Sequence, residues 1–195
     1  WIADFRDPWT EISYYKHLKL TSSSDKKHRQ LEKSVFENAD LTLATSYTDA
    51  ENFRKNGANA FCITNGFDKD EVKVEQKITQ KSSKFTLSYI GVLEQLRNPE
   101  VLWKVLIELV SENEDFKNDF QIKFVGRIDD KIFTEIEQSS LKNSVNNLGY
   151  LSHAEANVEM ANSDLLLITN FPDDISKGII PGKIFEYLAT GKQIL

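Results

Sequence analysis

The feature that most constrains this chain is a recurring unit: a short apolar run that closes on a glycine and leads into a segment of helical period. Phe85-Thr86-Leu87-Ser88-Tyr89-Ile90 closes on Gly91, and Pro99 then opens a helix on which Val101, Leu102, Val105, Leu106 and Leu109 recur on one face. Residues 120–125 alternate like a strand, close on Gly126 and give way to a helix over 131–139, and a shorter strand over 145–148 closes on Gly149. Ser152-His153-Ala154-Glu155 has the capping-box spacing, in which side chains satisfy the free N–H groups of a helix start, and that helix runs to about Asn162. Residues 164–169 are apolar without alternation, as a central parallel strand covered on both faces requires. The last helix spans 181–190, with Pro181 near its first position and Gly191 just past its end. This alternation predicts an α/β fold built on a doubly wound, Rossmann-like parallel sheet.

Ahead of Phe85 the pattern is less regular. Strands are expected over 1–5, 41–45 and 60–64, with helices over 25–38 and 48–55, the second ended by Gly57. Residues 69–84 are polar, rich in Lys, Gln and Ser, and carry no sustained apolar face. The expected organisation is therefore a partial Rossmann-like domain over 1–68, a linker over 69–84, and a second domain over 85–195 truncated at its C-terminus. Both ends read as strand interiors and there is no initiator methionine, so the chain is read as a fragment of a longer protein.

Composition narrows the classes. Lys plus Arg number 24 against 30 Asp plus Glu, a net charge of −6, which argues against general nucleic-acid binding. The lone cysteine, Cys62, rules out an intrachain disulfide and suits a reducing, cytoplasmic compartment; it sits in an apolar strand and is read as inert core. No apolar run reaches the length of a membrane span. His17, His28 and His153 lack metal-ligand spacing and are read as solvent-facing, Trp1, Trp9 and Trp103 as packing residues. Lys26, Lys27, Arg29 and Lys33 are read as a solvated face, with peripheral membrane contact as the alternative.

In open parallel sheets, ligands bind beyond the carboxyl ends of the strands. Two such ends carry chemistry. In the segment from Gly91 to Pro99, a glycine ends the strand and Arg97 sits just ahead of a helix start; exposed N–H groups and a forked guanidinium suit phosphate, although a surface arginine beside a routine cap has the same spacing. In the segment from Gly178 to Ala189, the amides of Gly182 and Lys183 can point at an anion, and Lys183 and Glu186, three apart, share a face. Ile184, Phe185, Leu188 and Ala189 would form the buried stripe of that helix. A carboxylate there can accept hydrogen bonds from sugar or ribose hydroxyls, or can simply form a surface pair with the lysine.

The run Pro181-Gly182-Lys183-Ile184-Phe185-Glu186-Tyr187-Leu188-Ala189-Thr190-Gly191-Lys192 resembles the donor-site helix of group 1 (family 4) glycosyltransferases of the GT-B fold. Trp1-Ile2-Ala3-Asp4-Phe5-Arg6-Asp7-Pro8-Trp9 resembles a segment of that family's N-terminal domain, and Ile63-Thr64-Asn65-Gly66-Phe67-Asp68 the turn by which it leaves that domain. The resemblance implies a retaining, metal-independent transfer of a sugar from a nucleotide-diphosphate sugar to a glycan or lipid-linked hydroxyl acceptor, in a cleft between domains, with no cofactor besides the donor. It implies that Glu186 binds the nucleotide ribose, that the backbone of 178–183, at Gly178, Ile180, Pro181, Gly182 and Lys183, faces the donor, and that Arg97 contacts the pyrophosphate beside Gly91. The loop of Gly149, Tyr150 and Leu151 then contacts the base through its backbone, and Asp7, with Asp4 as the second choice, lies near the acceptor and the reacting carbon. Trp9 would stand near the acceptor. Arg97, Lys183 and the Gly182 amide would stabilise the departing diphosphate. A cytoplasmic enzyme is implied, peripheral on the inner face of the membrane where the acceptor is lipid-linked.

Two positions depart from the family's pattern. Val92 stands where members often carry a basic residue, and Gly178 stands where the first glutamate of a pair is expected, with Asp173 and Asp174 close but out of register. The alternatives are a nucleotide-sugar epimerase of the same architecture and a non-catalytic nucleotide or glycan binder. No Gly-x-Gly-x-x-Gly follows a predicted strand, which disfavours a dinucleotide oxidoreductase.

Overall fold

The structure, a computed structural model, describes residues 1–12, 14–68, 82–172 and 178–195. Most of the expected linker, together with Asp173 and Asp174, lies outside them. The chain divides into two compact units, Trp1–Asn65 with Pro172–Gly182, and Gly66–Phe171 with Lys183–Leu195.

In the first unit, β1 (Ile2–Phe5), β2 (Leu41–Ala44) and β3 (Ala60–Cys62) form a parallel sheet in that order. Parallel neighbours need crossovers, and α1 (Ser22–Asn38) and α2 (Tyr47–Lys55) supply them. Both helices start on a hydroxyl cap: Thr21 accepts from the Ser24 amide, and Ser46 accepts from the Asp49 amide at 3.0 Å. Phe5, Phe36 and Phe53 meet with ring centroids 5.1 to 5.3 Å apart, and Ala44, Ala50, Ala58 and Ala60 fill the remaining core. Those alanines let strand and helix backbones approach closely enough for three rings to close the space. Trp1, expected to pack, is exposed; it precedes the first paired residue of β1 and no strand neighbour covers it.

The second unit holds β4 (Phe85–Ile90), β5 (Phe120–Val125), β6 (Val145–Gly149), β7 (Leu165–Leu166) and β8 (Gln193–Ile194), all parallel, in the order β6-β5-β4-β7-β8. The helices are α3 (Glu100–Glu112), α4 (Glu114–Asp119), α5 (Asp130–Glu137), α6 (His153–Asn162) and α7 (Lys183–Thr190). Strand order 3-2-1-4-5 within the unit makes the sheet doubly wound, and the order reverses between β4 and β7. Beta-period alternation sorts the two faces of β4. Leu87 and Tyr89 join Phe120, Ile122 and Phe124 in the main core under α3 and α5, while Thr86 and Ser88 face the other way. There the buried hydroxyls are paired: Ser163 donates to Ser88, and Gln121 to Thr86, both at 2.7 Å. Lys123 of β5 pairs with Glu159 of α6 at 2.7 Å, each less than a quarter exposed.

Three expectations change. The inward face of α3 is Trp103, Leu106 and Val110, while Val101, Val105 and Leu109 are exposed. Both stripes are apolar, and the indole decides between them: it carries the largest area, and its N–H reaches Asn98 Oδ1 at 2.7 Å, so burial strands no donor. On α7, Tyr187 is the fully buried residue, Ile184, Phe185 and Ala189 are half-buried, and Leu188 is exposed. Pro181 lies two residues ahead of the first helical residue, because Gly182 makes a turn before α7 begins. The capping box is present as expected: Glu155 N donates to Ser152 Oγ, and Ser152 N donates to the Glu155 carboxylate at 2.9 Å.

Candidate functional site

The carboxyl edge of the second sheet is built from three neighbouring glycines. Gly91, Gly126 and Gly149 end β4, β5 and β6 with φ of +125°, +109° and +64°, a region L side chains rarely enter. At Gly126 the need is also spatial, since a Cβ would lie 2.3 Å from the carbonyl oxygen of Gly91. The backbones are stitched at this point: Gly91 N donates to Val125 O at 2.7 Å and Gly126 N to Gly149 O at 2.6 Å. Pairing resumes past the kinks, where Leu93 N donates to Arg127 O and Asp129 N to Leu93 O, both at 2.9 Å.

The start of α7 lies against this edge at the reversal point. Lys183 Nζ donates to Ile90 O at 2.9 Å and to Tyr89 Oη at 3.2 Å, and it sits 4.3 Å from the centroid of the Tyr89 ring. A Cβ at Gly91 would come within 2.7 Å of that ammonium, so glycine is what lets the lysine reach the strand end. Tyr187, one turn on, closes the junction: Ile90 N donates to its hydroxyl at 3.1 Å, and the hydroxyl donates to Leu167 O at 3.4 Å. Burial pushes the Tyr187 phenol well above the ordinary tyrosine value, so it stays a neutral hydroxyl. Tyr187→Phe removes the acceptor and strands the part-buried Ile90 amide; the expected loss is about 1–3 kcal/mol, read from denaturant unfolding at constant m-value.

Arg97 lies in the 3-10 turn Gln95–Arg97, ahead of α3. Its side chain is only 22% exposed, so it is not a surface arginine. Nη2 donates to Glu94 Oε2 at 3.0 Å, the guanidinium carbon stands 5.0 Å over the Phe171 ring, and Nε is buried with no partner among the described residues. Asn98 Nδ2, next in the chain, is likewise buried without a partner. Adjacent buried donors with unused hydrogens are what an incoming oxyanion can satisfy.

Glu186 is on α7 near Lys183, yet the two turn to different neighbours. Its Oε1 lies 3.7 Å from Nε2 of His153, the first residue of α6, which directly follows the loop of Gly149, Tyr150 and Leu151. The structure therefore sets Glu186 beside the start of α6, two residues past Leu151. Tyr150 is 92% exposed and Leu151 half-buried, so the ring of Tyr150 faces solvent. His153 is exposed, as read from the sequence, and only the packing of α6 against α7 reveals its carboxylate partner.

In the first unit, Ile180 and Pro181 are half-buried and Gly182 is exposed. Gly178 has φ +92°, and a Cβ there would lie 2.7 Å from Asp49 Oδ1. Asp49 is buried, with Ser46 Oγ donating to it at 2.8 Å. Burial pushes its carboxyl above the usual range; the Ser46 hydroxyl opposes that shift and the charge of Asp7 adds to it. The position expected to lack a carboxylate thus has one from α2 pressed against its backbone.

Asp7 is exposed at the rim of a pocket of about 550 Å³ in this unit, lined among others by Asp4, Trp9, Tyr14, Tyr15 and His28. His28 is not solvent-facing as expected: Trp9 Nε1 donates to its Nδ1 at 3.2 Å, with ring centroids 5.8 Å apart. Among the described residues no three His, Cys, Asp or Glu side chains are grouped to hold a metal ion, and no helix is long and apolar enough to cross a membrane.

No family model matches the chain, and no curated protein does. Solved structures do. The crystal structure of HepE from Anabaena in complex with UDP superposes with a TM-score of 0.68 at 17% identity, over 99% of this chain and 52% of that one. WaaG, a glycosyltransferase involved in lipopolysaccharide biosynthesis, gives 0.66 at 16% identity over 99% and 55%. Sucrose-phosphate synthase from Thermosynechococcus elongatus gives 0.67 at 14% identity over 100% and 49%. The chain has the fold of these proteins, the GT-B glycosyltransferase fold that its motifs resemble. It spans about half the length of the solved structures it matches.

Proposed function

We propose that the chain carries the donor site of a retaining, metal-independent glycosyltransferase that moves a sugar from a nucleotide-diphosphate sugar to a glycan or lipid-linked hydroxyl. The observation that carries this reading is the meeting of Lys183 with the carbonyl of Ile90 beside Gly91. It sets the start of α7 on the carboxyl end of β4, where the strand order reverses and open sheets bind nucleotides. HepE, a solved structure of the same fold, was crystallised with UDP, with UDP and glucose, and with UDP-glucose, which supports a uridine donor as the first candidate.

In this reading Arg97, Lys183 and the Gly182 amide face the diphosphate, Glu186 accepts the ribose hydroxyls, and the backbone of 149–151 meets the base. The bond from the anomeric carbon to the phosphate oxygen breaks with its electron pair leaving on the diphosphate, and the acceptor oxygen forms the new bond. The products are a glycoside, a nucleoside diphosphate and a proton. Charge grows on the leaving phosphate as the bond lengthens, so cations held there before reaction lower the barrier most. Asp7 and Trp9 line the acceptor pocket of the first unit, and the protein works at the cytoplasmic side, in contact with the membrane surface when its acceptor is a lipid.

A thermal-shift screen of UDP-, GDP- and ADP-sugars tests the donor assignment. One of them raises Tm at 100 times its Kd by the equivalent of about 2.7 kcal/mol, and free nucleoside diphosphate is released only with acceptor present. Interconversion of the sugar without acceptor means an epimerase, and binding with no turnover in the full-length protein means a non-catalytic binder.

A further inference from the structure

Helix α1 turns one unexpected residue inward. Glu32 is 8% exposed, on the same face as His28 and Phe36, four residues before and after it. Phe36 feeds the core of the first unit, whereas Glu32 turns its carboxylate to polar partners. Both of its oxygens are used on one turn: Oε1 accepts from Trp9 N at 3.1 Å and from Thr10 N at 3.0 Å, and Oε2 accepts from the hydroxyl of Thr10, itself buried. Among the described residues no cation pairs with this carboxylate, so three donors from two consecutive residues compensate its burial. His28, one turn earlier, holds the indole N–H of Trp9, and Thr45 Oγ1 donates to Arg6 O at 2.7 Å on the other side of the turn. The turn between these anchors carries Asp7, Pro8 and Trp9, which line the 550 Å³ pocket. A helix needing only to pack would carry an apolar residue at position 32; a carboxylate here fixes a backbone conformation and little else.

We propose that Glu32 is a positioning residue for the acceptor pocket: its buried carboxylate holds the Trp9-Thr10 backbone so that the Trp9 indole and the Asp7 carboxylate are presented to a sugar ring. This rests on the pocket taking the acceptor. Aromatic rings at Trp9 and Tyr14 suit the C–H face of a pyranose, and Asp4 and Asp7 at the same pocket can accept its hydroxyls. Glu32 does not touch the sugar. It acts through the turn.

The test is a titration of the chain with methyl glucoside, methyl galactoside, methyl mannoside and methyl N-acetylglucosaminide, followed by the three tryptophan indole resonances in a nitrogen-15 correlation spectrum. At least one glycoside shifts the Trp9 indole signal saturably, while that of buried Trp103 stays put and reports the other unit. Glu32→Ala weakens that glycoside about tenfold or more, and Glu32→Gln, whose amide oxygen still accepts both backbone N–H groups, recovers most of the loss. Donor affinity measured by calorimetry is the same in all three proteins. An Ala variant that binds the glycoside like the parent overturns the role of Glu32 and leaves the pocket assignment standing. A parent in which no glycoside moves the Trp9 signal overturns the pocket assignment and the proposal with it, leaving the donor site untouched. Should Glu32→Ala lose the dispersion of the first unit, Thr10→Val decides: it removes one donor at constant shape, and weaker glycoside binding upholds the proposal while parent-like binding ends it.

Discussion

Alanine at position 126 lowers the stability of the second unit by about 2–5 kcal/mol and abolishes nucleotide binding by the folded fraction. Two penalties add. A residue with a Cβ at φ +109° costs about 1–2 kcal/mol, and forcing an atom to 2.3 Å from the Gly91 carbonyl oxygen costs about 1–3 kcal/mol more in displaced backbone. The clash is with main chain, so no rotamer relieves it. The strand end must move, and Gly91 is the point that Lys183 reaches across. Gly149→Ala is the internal control: φ is +64° there and nothing lies within 4 Å of the new methyl, so only the conformational penalty applies. Thermal and denaturant unfolding of the two variants check this. Equal losses would mean that the glycine backbones do not approach as closely as 2.3 Å implies.

The second large effect is at Lys183. Removing one donor that faces developing charge reduces turnover by about 10²–10³-fold, and Lys183→Ala is expected to fall in that range per folded molecule. Its two hydrogen bonds, to Ile90 O and Tyr89 Oη, come from a charged donor and contribute about 1.5–3 kcal/mol each, so stability falls as well. A purely structural lysine would lose that stability and keep a near-normal rate per folded molecule. Lys183→Arg does not rescue, because the planar guanidinium is broader than an ammonium and does not repeat its joint contact with Ile90 O and Tyr89 Oη. Single-turnover rates on the full-length protein, set beside urea unfolding of the same variants, separate the two cases.

Much of this architecture was legible from periodicity. The capping box at Ser152 and the end of α6 at Asn162 fall where the pattern puts them because both rest on interactions within a few residues, and the strand over 85–90 does so because its run is bounded by Gly91, although its partners β5 and β7 lie far away in sequence. The inward face of α3 was not legible, since Val101, Val105 and Leu109 make as good a stripe as the one that turns inward. Only the sheet opposite, with Phe124 meeting Trp103 at 6.0 Å, selects between them. The same division runs through the site. Gly91, Arg97, Lys183 and Glu186 stand out locally, as a glycine at a strand end, a cation ahead of a helix and a pair near a helix start. Their partners do not. Phe171 under Arg97, His153 beside Glu186 and Asp49 against Gly178 are contacts between segments far apart in sequence, and no local spacing encodes them. Glu32 is the extreme case: in a helix as charged as α1 a buried glutamate looks like its neighbours.

In the proposed donor site Arg97, Lys183 and Glu186 serve one nucleotide, the first two through its phosphates and the third through its ribose. Calorimetric titration with the preferred nucleoside diphosphate and with the corresponding nucleoside, on the parent and on Arg97→Ala, Lys183→Ala and Glu186→Ala, tests it most directly. The phosphate-facing variants lose about tenfold or more for the diphosphate and nothing for the nucleoside, whereas Glu186→Ala weakens both ligands by a similar factor. Diphosphate affinity that survives the loss of Arg97 and of Lys183 would contradict the claim and move the nucleotide elsewhere on the sheet.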